Sequence, residues 1–356
     1  MDTKVTKINK YFVSMIMAGL LVSSTACTAA MTEDGISKPA SAAIETTAKG
    51  SSASDQTNPN APETSMVPVT QVAKSIGITD ENYPAIDGST STLPIVQLIY
   101  RSMFGESSTT DDKYPEAASK TVPSYERLIK GEVDMILVPY ASEAVLQTAE
   151  AAGVELEWEK IAAEALIFIT AKDNPINSIT LDQVREIYLQ NSIRNWSAIG
   201  GPDRQLVPIC RNSDSGSQSQ MDNLILHNEP MHPEIINNHI VLNMEDMLYQ
   251  VAYYHTGGLS APPSNSFALG YTLYTYLQSV DNMTGICDEL KILDIDGLTA
   301  SRETIADGYY PLTDGYYAVV RKDLPQDHPA RRIVQWLGSE GAKQGIEDRG
   351  FIHVAE

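Results

Sequence analysis

The sequence is poor in cysteine and poor in positive charge. Its 356 residues include 3 cysteines, and no CxxC or HExxH pattern gathers metal-ligating side chains, so neither a structural zinc site nor a zincin-type metal centre is expected. Lys and Arg number 25 against 46 Asp and Glu, a formal net charge of −21, which argues against a basic surface for nucleic acid. No GxSxG elbow or SxxK pattern stands in a context that would give a serine its base, so no enzyme activity and no cofactor are expected. The apolar run from about Tyr11 to Val22 is too short and wrongly flanked to span a membrane, and no internal repeat is visible.

What is present at the N-terminus is a secretory leader. Lys4, Lys7 and Lys10 precede the apolar run, and small residues lead to Cys27, so residues 1–26 read as a signal peptide. Ser24-Thr25-Ala26-Cys27 resembles a bacterial lipobox, with Ser24 where Leu is usual, and Cys27 is the expected lipidation site that would anchor the chain outside the cell membrane. Residues 27–80, rich in Ser, Thr, Ala, Pro, Asn and Gly, carry too little apolar surface to offset the entropy of ordering and read as a flexible tether. Cys210 and Cys287 could pair in an extracytoplasmic compartment, and the sequence leaves that open. His227 and His232 in HNEPMHPE read as a solvated loop pair.

Beyond the tether, short apolar runs alternate with amphipathic ones. VDMILVP, ALIFIT and YYAVV have the length and composition of buried strands, while SYERLIKGEV, LDQVREIYLQN and ARRIVQWLGSEGAKQGIED have helical spacing. Thr180-Leu181-Asp182-Gln183 has the form of a capping box. Such alternation predicts an α/β protein with largely parallel sheets, in which ligands bind beyond the carboxyl ends of the strands.

Three strand-to-helix loops are therefore candidates. In IDGSTSTLPIVQLIYRSMF, five residues from Gly88 to Thr92 supply more hydroxyls than one helix cap needs; capping and anion binding at the helix mouth both remain open. Arg211-Asn212-Ser213-Asp214-Ser215-Gly216-Ser217-Gln218 joins a permanently charged planar fork to a Ser-Gly-Ser approach suited to an oxyanion. The third loop offers Ser142 as an N-cap or a ligand donor, and Thr121 before another helix has the same two readings.

The segment ALIFITAKDNPINSITLDQVREIYLQNSIRNWSAIGG resembles the corresponding region of phosphate-type periplasmic-binding proteins, and DGSTST, RNSDSGSQ, ALGYTLYTYL and YPLTDGYYAVVRKD fall in the family's order. The resemblance covers roughly 86–354. It implies a two-lobed type II periplasmic-binding-protein fold, with residues 81–163 and 318–356 in lobe 1 and residues 164–317 in lobe 2. The crossings between lobes would lie near Lys160–Leu166 and Asp314–Val320.

The same resemblance implies ligand donors from Ser89 and Thr90 on one lobe and from Arg211, Ser215, Gly216 and Ser217 on the other; Ser91, Thr121 and Ser142 complete the expected set. The implied function is an extracytoplasmic lipoprotein, monomeric, that captures an oxyanion, with inorganic phosphate first, and delivers it to the permease and ATPase subunits of an ABC importer. One departure matters. The family's well-known phosphate binders place an aspartate after the strand corresponding to VDMILVP, where this chain reads Val138-Pro139-Tyr140-Ala141-Ser142. A binding, adhesion or signalling module of the same fold, taking sulfate, molybdate, tungstate or a small organic anion, is the alternative.

Overall fold

Strand and helix alternate along the chain as the apolar patterning requires. The computed structural model describes residues 69–257 and 264–354. In order these form α1 (Gln71–Ser75), β1 (Ile86–Gly88), α2 (Leu93–Phe104), α3 (Thr121–Lys130), β2 (Met135–Pro139), α4 (Glu143–Ala151) and the long β3 (Leu156–Ala171). Next come β4 (Ser178–Ile179), α5 (Leu181–Arg185), β5 (Gln205–Pro208), β6 (Cys210–Arg211), α6 (Gly216–Met221), α7 (Pro233–Asn238), β7 (Ile240–Val241) and α8 (Met244–Tyr253). The remainder is β8 (Ser266–Leu273), α9 (Tyr274–Thr284), β9 (Leu290–Ile295), α10 (Arg302–Ala306), β10 (Thr313–Arg321), α11 (Pro329–Leu337) and α12 (Glu340–Glu347).

One eight-stranded sheet runs β1-β2-β10-β3-β8-β5, with β9 beside β3 and β4 beside β9; β6 and β7 form a separate pair. The pairs β1–β2, β4–β9, β5–β8 and β6–β7 are parallel, and every antiparallel pair involves β3 or β10. The first part of β3 pairs with β10, and its end pairs with β8 and β9. A single strand thus passes from one half of the sheet to the other. The chain returns where the Leu166 N–H donates to the Leu312 carbonyl at 3.0 Å. The second crossing therefore lies at the head of the expected stretch Asp314–Val320, most of which pairs with β2.

The core explains why β2 is apolar throughout. Met135 and Leu137 face a cluster with Ile95, Ile99, Tyr316 and Ala318, whereas Ile136 and Val138 face another with Tyr125, Leu128 and Val319. A strand covered on both faces has no solvent side to alternate with. The largest cluster surrounds the end of β3 and buries Phe168, Tyr188, Trp196 and Tyr271.

Two expected boundaries shift. The tether was expected to reach residue 80, yet α1 is docked: Ala73 and Ile78 are buried, and Thr70 N–H donates to the Met103 carbonyl at 2.9 Å. The described residues lie in the compact unit Thr64–Glu356, while the signal peptide, Cys27 and the tether up to residue 68 lie outside the described residues. The C-terminal helical stretch divides at Gly338-Ser339, where Ser339 caps α12. The capping box is present, with Gln183 N–H on Thr180 Oγ1 at 3.1 Å and Thr180 N–H on Gln183 Oε1 at 3.0 Å. Cys210 and Cys287 are both free thiols, each pushed up to about 11 by burial. Among the described residues no helix is long and apolar enough to cross a membrane.

Candidate functional site

Four helix N-termini open onto one cavity of about 160 Å³. Ser89, Thr90 and Ser91 bring the turn before α2; Lys120 and Thr121 bring the start of α3; Ser215 and Gly216 bring α6; Asn243 and Met244 bring α8. The first-turn N–H groups of a helix have no partner within it and form its positive end, so their convergence favours an anion.

The first loop is held largely by its own atoms. A Cβ on Gly88 would stand 2.7 Å from the Leu137 carbonyl oxygen and 2.9 Å from Thr92 Oγ1, so only glycine permits the close turn out of β1. Thr92 Oγ1 accepts the Ser89 N–H at 3.0 Å and donates to the Leu137 carbonyl at 2.5 Å. Ser89 Oγ lies 3.0 Å from both Ser91 Oγ and Thr92 Oγ1. Ser89 and Thr92 thus form a capping box at the turn before α2, and Ser89, Thr90 and Ser91 line the cavity. Behind them Asp87 pairs with Arg127 and accepts the N–H groups of Gly88 and Ser119 at 2.7 and 3.1 Å, which ties the segment before Lys120 to the end of β1.

The second loop supplies the charge. Arg211 is 6% exposed, its Nε donates to the Val241 carbonyl at 3.2 Å and its Nη2 to the Leu242 carbonyl at 3.1 Å. Its backbone N–H donates to Tyr271 Oη at 3.0 Å, and Tyr271 Oη donates to Gln218. No carboxylate lies within ion-pair distance of it among the described residues. Burial lowers its pKa from the ordinary arginine value, but a guanidinium starts so high that it stays charged. A desolvated cation held by carbonyls alone is an incomplete arrangement, and an incoming anion completes it.

The Arg211–Ser217 loop touches the start of α3 and the end of β2. Val122 N–H donates to the Asp214 carbonyl at 3.4 Å, and a Cβ on Gly216 would come within 2.7 Å of Thr121 Oγ1 and of Pro139 Cγ. Gln220 Nε2 donates to Asp314 at 2.7 Å and Asn223 Nδ2 to the Ala141 carbonyl at 3.0 Å, extending the seam along α6 and the π-helical turn after it.

Of the nine residues expected in the ligand set, Ser89, Thr90, Ser91, Thr121, Arg211, Ser215 and Gly216 share the cavity. Ser217 and Ser142 do not. Ser217 is buried behind the loop, and its hydroxyl reaches the cavity only through Ser215 Oγ at 2.9 Å. Ser142 heads α4 beyond Pro139, and it is Pro139 that meets the start of α6. Sequence reasoning missed Lys120, Asp214, Leu242, Asn243, Met244, Glu245, Leu273 and Tyr276. Asn243 with two acids after it was a legible helix start, but nothing local placed it at the cavity.

A family model described as a PBP superfamily domain matches residues 32–343. The chain belongs to the PBP superfamily. Among relatives of this PBP-superfamily chain, the phosphate-binding protein PstS of Borreliella burgdorferi is 25% identical over 197 residues, 54% of this chain and 64% of its own length. The phosphate-binding protein PstS of Bacillus subtilis is 24% identical over 229 residues, 60% of this chain and 67% of that protein. The chain thus spans under two thirds of the first relative's length and about two thirds of the second's. The structure of an ABC-type phosphate transport receptor from Vibrio cholerae superposes with a TM-score of 0.55 at 21% identity, covering 75% of this chain and 98% of that one. The likeness is one of fold, and with the sheet order it establishes the two-lobed type II architecture.

Proposed function

We propose that the chain is an extracytoplasmic binding lipoprotein, anchored through Cys27, that captures an oxyanion between two lobes and delivers it to an ABC importer. Inorganic phosphate is the first candidate ligand. The carrying observation is Arg211, a buried cation with no carboxylate partner among the described residues, set in a cavity ringed by hydroxyls and helix N-termini. The relatives named for phosphate binding point the same way. The lobes are assigned to residues 69–163 with 313–354, and to residues 164–312, on opposite sides of the β3 crossing.

Binding of this kind needs no covalent step. Neutral and cationic donors replace the hydration shell, and a ligand favours the closed form only through contacts it makes better there. Isothermal calorimetry of the purified protein with phosphate, sulfate, molybdate and tungstate tests the reading. Saturable binding of phosphate that Arg211→Ala abolishes supports it; absence of heat with all four anions overturns it.

A further inference from the structure

The cavity is not lined by donors alone. Leu242, Met244, Leu273 and Tyr276 give it an apolar wall, and Asp214 and Glu245 bring two carboxylates. A bare oxyanion is a shell of acceptors, so hydrocarbon facing it makes no compensating bond and a carboxylate facing it repels. Neither Asp214 nor Glu245 has a cation within ion-pair distance among the described residues, and neither Arg211 nor Lys120 has an anion. Unpaired charges of both signs therefore share one cavity.

Arg211 is tied to the carbonyls of Val241 and Leu242, while Glu245 stands exposed in the first turn of α8 and marks the solvent side. Tyr276 is half-buried on the same cavity: burial and then Glu245 push its hydroxyl up to about 12, and Arg211 opposes them. Asp214 has one oxygen engaged by Asn212 Nδ2 at 3.2 Å, and its backbone is fixed across the seam by Val122. The volume of about 160 Å³ resembles that of apolar cavities that take up benzene, at ~150 Å³, and leaves room for more than a tetrahedral ion.

Building on the oxyanion reading above, we propose that the ligand is a zwitterion: a phosphoryl or phosphonyl head on the donors around Arg211, a short alkyl link along Leu242, Met244, Leu273 and Tyr276, and an ammonium group facing Asp214 and Glu245. The head satisfies the buried cation, the link displaces water from the apolar wall, and the ammonium satisfies the carboxylates. Phosphonates and phosphate monoesters of a short amino alcohol share this chemistry.

Calorimetry on the intact protein tests it with inorganic phosphate, ethylphosphonate, 2-aminoethylphosphonate and O-phosphoethanolamine. At least one of the two zwitterions is expected to bind about tenfold or more tighter than inorganic phosphate, with ethylphosphonate between them; which zwitterion wins separates the phosphonate source from the ester. In the double variant Asp214→Asn with Glu245→Gln, the advantage of the zwitterions over ethylphosphonate is expected to vanish, and circular dichroism checks that the variant is folded. Inorganic phosphate binding as tightly as the better of the two zwitterions, or an undiminished advantage in the folded variant, overturns the inference and leaves the oxyanion reading intact. Failure of all four compounds to bind overturns both.

Discussion

The two loops that line the cavity present their donors in opposite ways. The Gly88–Thr92 loop is neutral and self-supporting: its hydroxyls bond one another, and Thr92 closes it onto Leu137. The Arg211–Ser217 loop carries the charge and is held from outside, by the carbonyls of Val241 and Leu242 and by Tyr271. A neutral loop can be prepaid locally because hydroxyls are both donors and acceptors. A guanidinium only donates, so carbonyls can orient it while its charge stays uncompensated until a ligand arrives.

Removing the charge is expected to have the largest effect. Arg211→Ala is expected to weaken oxyanion binding by several kcal/mol, since two charge-assisted hydrogen bonds at ~1.5–3 kcal/mol each are lost together. Calorimetry checks it, and Arg211→Lys should recover only part because an ammonium lacks the fork. Removing the neutral donors should matter less: Ser89→Ala with Thr90→Ala is expected to weaken binding about tenfold, ~1.4 kcal/mol. Thr92→Val should show the reverse emphasis. Its hydroxyl caps and does not line the cavity, so a stability loss of about 0.5–2 kcal/mol in urea unfolding is expected, with a smaller effect on affinity than the double variant.

The outside support of the charged loop can be sharpened by pH. Asp222, which accepts from Gln218 Nε2 at 2.8 Å, is raised from 3.8 to about 6 by burial. A carboxyl whose folded pKa is raised stabilises the fold below its unfolded value and loses that contribution as pH climbs through the folded one. Wild-type melting temperature should therefore fall between about pH 4 and 6 by an increment that Asp222→Asn removes. Smallest of all should be the effect of deleting residues 28–67, expected to leave oxyanion affinity unchanged in the same calorimetric assay.

Most of what the sequence made legible is local. The hydroxyl run, Arg211 and the Ser-Gly-Ser turn stand beside helix starts that periodicity reveals, and seven of the nine expected residues meet at the cavity. Ser142 sits in an equally good N-cap context, but whether a cap faces the cavity depends on how α6 packs against Pro139, which is a tertiary fact. The same holds for Leu242, Glu245 and Tyr276, brought in by α8 and α9 from far along the chain. Lys120 was hidden for a different reason: it occupies a positive φ of 77°, rare for a residue with a side chain and without a pattern in its neighbours. In the fold, ALIFIT was readable as a strand because it is buried on both faces, whereas LEWEKIAA at the head of β3 is partly exposed and lacked that signal.

The proposed function requires one oxyanion to be held by both loops at once. A crystal structure of the protein grown with inorganic phosphate tests it most directly. A single anion within hydrogen-bond distance of Arg211 and of at least one hydroxyl among Ser89, Thr90 and Ser91 is expected; an anion bound to one loop alone, or outside the cavity, would contradict the two-loop capture.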